Sequence, residues 1–233
     1  MLCAISGSTG VLGSEFLKFC KNKKYKFVKL KGDIRKKKNL KKWLKRDKIE
    51  IIIHFAAIVP VNKVEQNFSK AYDINVNSVR NILEIFKNKK KKVWFFLAST
   101  SHVYELSKKK LDEKSKVKPI NKYGYSKFLA EKILLNKRYS KFITPCIGRI
   151  FSYTNYNQGK EYLIPSLHYK EKVNINKLNH LRDFVHIKDI CSAINLLLRN
   201  KKKGIFNIGS GKKVHLIDIY NQIKNQNLNR PSK

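Results

Sequence analysis

The sequence predicts an α/β fold built on a doubly wound parallel sheet. Three observations carry this. Apolar runs of strand length alternate with stretches of helical spacing along the whole chain. The runs "EIIIHFAA" (50–57) and "KVWFFLAST" (92–100) are almost continuously apolar, as in strands covered on both faces. The first run, "LCAIS" (2–6), ends in a glycine turn, "GSTGVLG", that opens a helical pattern.

The elements follow in order. After strand 2–6, apolar positions Val11, Leu12, Phe16, Leu17 and Phe19 give a helix. "KFVKL" (26–30) is a strand and "NLKKWLKRD" (39–47) a helix. Strand 50–57 leads to one long helix over 64–87, then strand 92–100. Residues 107–118 are a charged loop, 123–137 a helix and 142–150 a strand. A helix near 159–170, a short strand near 172–176 and a helix at 188–199 come next. Strand 204–209 and a helix over about 215–226 end the pattern. Lysine runs at 36–38, 89–92, 108–110 and 201–203 fall at helix ends or in loops, as solvated segments do.

The 233 residues suit one large domain with a smaller lobe, and 42% hydrophobic residues suffice for a packed core. No apolar run reaches the roughly 18 residues that span a bilayer, and the N-terminus lacks a secretory pattern. Cys3, Cys20, Cys146 and Cys191 are widely spaced, with no zinc-type cluster, so reduced thiols in a cytoplasmic protein and no metal site are expected. The net charge of +36 would attract polyanions non-specifically. Most of it is lysine, in a chain also rich in Asn and Ile, which points to compositional bias and not to a specific nucleic-acid face.

The glycine turn places Gly7, Gly10 and Gly13 at G-x-x-G-x-x-G spacing between a strand and a helix, the context of a dinucleotide site. Gly7 permits the tight turn, Gly10 a close approach of pyrophosphate, and Gly13 close helix packing. The helix N-terminus offers free N–H groups to phosphates. Asp33 follows Gly13 by twenty residues, where an acidic residue contacts the adenosine end of such ligands. Lys29, Lys31 and Arg35 nearby could meet a 2′-phosphate, which favours NADP slightly over NAD.

"NKYGYSK" (121–127) contains two tyrosines and two lysines. On a helix Tyr123 and Lys127 share a face at i, i+4, whereas Tyr125 and Lys127 point apart. Spacing alone does not decide whether the first pair does chemistry.

Several segments in order resemble the extended short-chain dehydrogenase/reductase family, the nucleotide-sugar epimerases, dehydratases and 4-ketoreductases. They are the glycine turn, "GDIR" (32–35), "HFAA" (54–57), "INVNSVRNIL" (74–83), "LASTSHVYE" (97–105), "LDEKSKVKPINKYGYSK" (111–127), "RDFVHIKDI" (182–190) and "FNIGSG" (206–211). The resemblance implies a Rossmann domain over 1–150 and a mainly substrate-binding lobe over 151–233. The strand and helix near 180–209 return to the first unit. It implies Tyr123 as general acid/base, with Lys127 lowering the phenol pKa from its usual value near 10 and holding the nicotinamide ribose. Thr100 would supply the catalytic hydroxyl, with Ser99 the neighbouring alternative. The cofactor would contact Gly7, Thr9, Gly10, Val11, Leu12, Gly13, Asp33, Ile34, Ala56, Ala57 and Asn75, besides Tyr123 and Lys127. Ser101, His102 and Arg182 would face the substrate, Arg182 gripping a diphosphate. His186 is expected to be structural and Asp189 an N-cap. A homodimer through the long helices is a family expectation.

In the family's 4,6-dehydratases an Asp–Glu pair directly follows the catalytic Thr. Here Ser101 and His102 stand there, so dehydration is not expected. The compact N-terminal half favours reduction of a 4-keto (6-deoxy) nucleotide sugar; 4-epimerisation needs the same groups. Glu105 replaces the usual Gly after "VY", Ser152 stands where relatives often carry Asn, and the substrate lobe is expected to be small and truncated. A cofactor-binding protein that has lost turnover, or an RNA-associated one, is the alternative from a different class.

Overall fold

The computed structural model describes residues 1–45, 48–87, 92–155, 157–169 and 178–228. Six parallel strands form the sheet: β1 (Leu2–Ser6), β2 (Lys26–Lys29), β3 (Ile49–His54), β4 (Val93–Thr100), β5 (Ile143–Ile150) and β7 (Gly204–Ile208). Their order is β2-β1-β3-β4-β5-β7. The chain steps outward from β1 to β2, then returns to the other side of β1 for β3. That reversal opens a crevice at the carboxyl ends of β1 and β3, where ligands of doubly wound sheets bind.

Alternation along β4 shows why both faces are dry. Val93, Phe95 and Leu97 point into a cluster with α2 (Lys37–Leu44), α5 (Ser78–Lys87) and α6 (Lys122–Leu134). Trp94 and Phe96 point the other way, against α1 (Val11–Phe19) and α8 (Ile187–Arg199). All four cysteines are buried and free. No helix among the described residues is long and apolar enough to cross a membrane.

The predicted helix 64–87 is broken. It comprises α3 (Val61–Gln66), α4 (Phe68–Tyr72), a wide π turn at Asp73–Asn77, and α5. Asn67 causes the first break: its backbone leaves the helical region (φ −144°, ψ 77°) and its side chain accepts from Lys70 N to cap α4. The predicted helix 159–170 is confined to α7 (Leu163–Tyr169), and the predicted strand 172–176 lies outside the described residues. A two-stranded antiparallel ribbon of β6 (Leu181–Arg182) and β8 (Val214–His215) was not anticipated. It lies beside an apolar cluster of Leu167, Leu178 and Leu216, shared by α7 and α9 (Leu216–Leu228).

Asp189 is not the N-cap of α8. His186 is, its Nδ1 accepting from Lys188 N at 3.2 Å, and Asp189 sits in the first turn. The structural reading of His186 holds. Asp183 does further tethering: its carboxylate accepts from Ser210 N, Ser210 Oγ and Gly211 N, each at 2.8 Å, tying "RDF" to "GSG". Glu105, at the position expected to be Gly, pairs with Lys116 (3.0 Å) and Lys118 (3.4 Å), pinning the loop ahead of α6.

Candidate active site

A cleft of about 870 Å³ opens at the carboxyl ends of β1, β3, β4 and β5. Its walls include Gly7, Thr9, Gly10, Val11, Leu12 and Gly13 from the turn and α1, and Ala56 and Ala57 after β3. Thr100, Ser101 and His102 reach it from the end of β4, Tyr123 and Lys127 from α6, and Arg182 from β6. Three expected cofactor residues do not line it. Ile34 is buried in the core behind β1, and Asp33 is held by Arg35 at 2.6 Å. That ion pair keeps the Asp33 carboxyl near 2. Asn75, set inward by the π turn, spends its amide on protein. Its Oδ1 accepts from Ile58 N (2.8 Å), and its Nδ2 donates to Ile58 O (3.1 Å) and Ser126 Oγ (3.0 Å). It acts on the cleft by fixing the loop after β3 to α6.

The turn fits a dinucleotide. Gly7 takes φ +68°, and a Cβ at Gly13 would sit 2.1 Å from Gly7 O, so α1 is jammed against the turn. A Cβ at Gly10 would meet nothing nearer than 3.5 Å. Protein packing therefore does not require glycine at 10, whereas a ligand pressed onto the backbone does. Gly10 caps α1 without a side-chain hydrogen bond, so the first-turn N–H groups face the cleft.

Gly124 sets the position of α6. A Cβ there would lie 2.2 Å from His102 O, so only glycine lets α6 approach the short 3₁₀ turn after β4. Asn121 caps the helix, its Oδ1 accepting from Gly124 N at 2.8 Å. The same residue's Nδ2 faces His102 Nδ1 at 3.0 Å. An amide nitrogen donates, so His102 Nδ1 accepts and the ring proton lies on Nε2. Burial, and then the Arg182 charge, lower the His102 pKa to about 4, so the ring is neutral near pH 7. Its ring stands edge-on to Tyr123 at 5.8 Å.

Tyr123 is 8% exposed and Lys127 2%. Burial raises the Tyr123 pKa above that of free phenol, and a hydrogen bond with Thr100 lowers it in part. Burial weakens the lysine's own charge, bringing its pKa down to about 8, and Glu131 opposes that fall. The lysine's charge also reaches His54, a fully buried ring lowered to about 3 chiefly by burial. Strand alternation separates Thr100 from Ser99. Thr100 lines the cleft with Tyr123, its Oγ1 accepting from His102 N at 3.3 Å, whereas Ser99 Oγ donates to Glu131 on the inner part of α6. Tyr125 stacks on Phe68 and is half-exposed, and Lys122 pairs with Glu65 at 3.4 Å.

Arg182 Nε is buried without a hydrogen-bond partner, and burial lowers its pKa. A buried unpaired guanidinium N–H facing a cleft suits an anionic ligand. Sequence reasoning missed Tyr162 and Tyr153, which line the cleft, and whose phenols act electrostatically around Tyr123. Residues 151–158 follow no helical or strand period, and Tyr162 falls in the stretch read as a helix, so nothing in the pattern marked either as facing the cleft. Glu131 was also missed, although its spacing of four from Lys127 was visible.

The whole chain resembles known proteins. Residues 5–232 match the family described as GDP-mannose 4,6 dehydratase. A UDP-glucose 4-epimerase of Mycoplasma genitalium is 28% identical over 94% of this chain and 80% of its own length. A dTDP-D-glucose 4,6-dehydratase of Dictyostelium discoideum is 29% identical over 88% of this chain, which spans 51% of that protein. A Thermus thermophilus UDP-glucose 4-epimerase solved in complex with NAD superposes with a TM-score of 0.85 at 16% identity. The match covers all of this chain and 85% of that one. With a six-stranded parallel sheet, a glycine turn at its switch point and a match over residues 5–232, the chain belongs to the GDP-mannose 4,6-dehydratase family of extended short-chain dehydrogenase/reductases.

Proposed function

We propose that the protein catalyses a nicotinamide-dependent oxidoreduction at C4 of a nucleotide sugar, its net reaction the reduction of a 4-keto (6-deoxy) sugar. The observation that carries this is the convergence of Thr100, Tyr123 and Lys127 on one cleft with a glycine turn shaped for a dinucleotide. The cofactor, when bound, supplies the hydride. The turn residues 7–13 would hold its pyrophosphate and Lys127 its ribose. Tyr123 gives its proton to the C4 oxygen as that oxygen becomes a hydroxyl, and Thr100 Oγ1 orients the same oxygen. Lys127 in its charged form favours the phenolate left behind. Burial of both side chains keeps water from the proton path. Arg182 binds the diphosphate, and the His102 Nε2–H donates to the sugar.

His102 and Ser101 also support the expectation that dehydration is not the reaction. A ring protonated at Nε2 and neutral at pH 7 is not a carboxylic acid, and its cleft-side nitrogen is a donor, not a base. Exposed Lys29 and Lys31 keep a slight preference for NADP. Arg35 is already engaged by Asp33, which removes one ground for that preference. A second reading, 4-epimerisation, is favoured by the Mycoplasma relative and needs the same residues. Titration with NADPH and NADH, followed by turnover with a panel of 4-keto-6-deoxy nucleotide sugars and another of nucleotide sugars bearing a C4 hydroxyl, separates the two. Stoichiometric consumption of reduced cofactor supports reduction. Interconversion of C4 epimers without net consumption supports epimerisation. No binding of either dinucleotide contradicts both.

A further inference from the structure

Helix α6 carries a third polar residue on the face of Tyr123 and Lys127. Glu131 follows at the same spacing of four, so the three side chains form one stripe running from the cleft into the core. Glu131 is 1% exposed. Its Oε1 accepts from Ser99 Oγ at the end of β4 and from Arg149 Nε on β5 (3.1 Å), and its Oε2 from Arg149 Nη2 (2.7 Å). Arg149 is 2% exposed and lies over the Tyr104 ring at 4.6 Å. Tyr104 in turn donates to Asn207 Oδ1 on β7 at 2.7 Å. A fork of guanidinium and carboxylate so deep is a poor choice for stability alone, because desolvation offsets most of the attraction. It does fix two things: the seating of α6 on β4 and β5, and a negative charge one turn beneath Lys127.

We propose that Glu131 is a positioning residue that holds Lys127 in its charged form and sets the depth at which α6 carries the Tyr123–Lys127 pair. This rests on the proposed role of Lys127. The groups around the lysine are Tyr123 and Glu131 on its own helix, His54 on β3 and Arg149 on β5 beyond Glu131. His54 is neutral, and Arg149 is already paired with the carboxylate. Among these, Glu131 is the group that favours the ammonium, working against burial. Burial outweighs the carboxylate, which leaves a lysine titrating near 8 and not near its ordinary value.

The test is the pH dependence of folding stability, which needs neither cofactor nor substrate. Lys127 binds its proton more weakly in the folded chain than in the unfolded one. Its contribution to stability therefore rises with pH between about 8 and 10.5 and is level below 8. In Glu131→Gln the rise should begin lower. The stability difference between variant and parent should then slope between pH 6 and 8, by up to about tenfold in the unfolding constant per pH unit. A merely structural loss shifts the curve without changing its slope. In a Lys127→Met background the slope should vanish. If Arg149, stranded by the change, prevents folding, Glu131→Gln/Arg149→Met is read against the parent in the same way. Parallel curves, or a slope that persists with Lys127→Met, would overturn the inference. Either outcome leaves the Tyr123 reading standing, since that reading depends on turnover.

Discussion

Lys127 lies one turn of α6 beyond Tyr123, and burial moves the two side chains in opposite directions, the phenol up and the ammonium down. Both changes favour neutral groups in the free protein. Near neutral pH the phenol keeps its proton, and the ammonium, titrating at about 8, is still largely charged.

Glycines 10 and 13 should respond differently to the same substitution. Gly13→Ala drives a Cβ into the backbone carbonyl of Gly7, so thermal or denaturant unfolding should show a loss of about 3 kcal/mol. Gly10→Ala has room in the free protein and should melt near the parent. Calorimetric titration should nevertheless find its dinucleotide affinity at least about tenfold weaker, a loss of about 1.4 kcal/mol.

Acid should destabilise the fold before carboxylates titrate. His102 and His54 have folded pKa values near 4 and 3, below the ordinary 6.5. The unfolded chain therefore binds more protons, and stability is lost as pH falls from about 6.5 toward those values. Each ring contributes at most about 1.4 kcal/mol per pH unit. Chemical denaturation from pH 7 to 4.5 should show this slope, and His102→Asn should roughly halve it.

Arg182→Ala should raise KM for a nucleotide sugar about ten- to a hundredfold, the effect of losing a charged hydrogen bond to a diphosphate. Dinucleotide affinity should stay unchanged. Steady-state kinetics and cofactor titration check the two halves. Arg182→Lys should recover only part of the loss, since an ammonium cannot make the bidentate contact.

The sheet was legible because its strands are apolar on both faces, and a continuous run such as Trp94–Leu97 has few other uses. Ordered motifs likewise placed Thr100, Tyr123, Lys127 and Arg182 on one cleft. What could not be read depends on local backbone exceptions and long-range pairing. Asn67 breaks a helix whose apolar period runs on unbroken, and the amide of Asn75 is taken up by Ile58 and Ser126. Asp33 looked free for a ligand, but its partner two residues on claims it. Glu131 was one of many charges until the fold buried it against Arg149 from a different strand. Helix spacing gave Tyr123 and Lys127 a shared face, but not the burial that shifts both groups.

The most direct test is turnover by Tyr123→Phe, measured as NADPH oxidation with 4-keto-6-deoxy nucleotide sugars under single-turnover conditions. The substitution removes the phenolic proton while keeping the buried ring. The rate should fall about 10²- to 10⁴-fold, with dinucleotide affinity and melting temperature near the parent. Undiminished turnover in that variant would contradict the proposed mechanism.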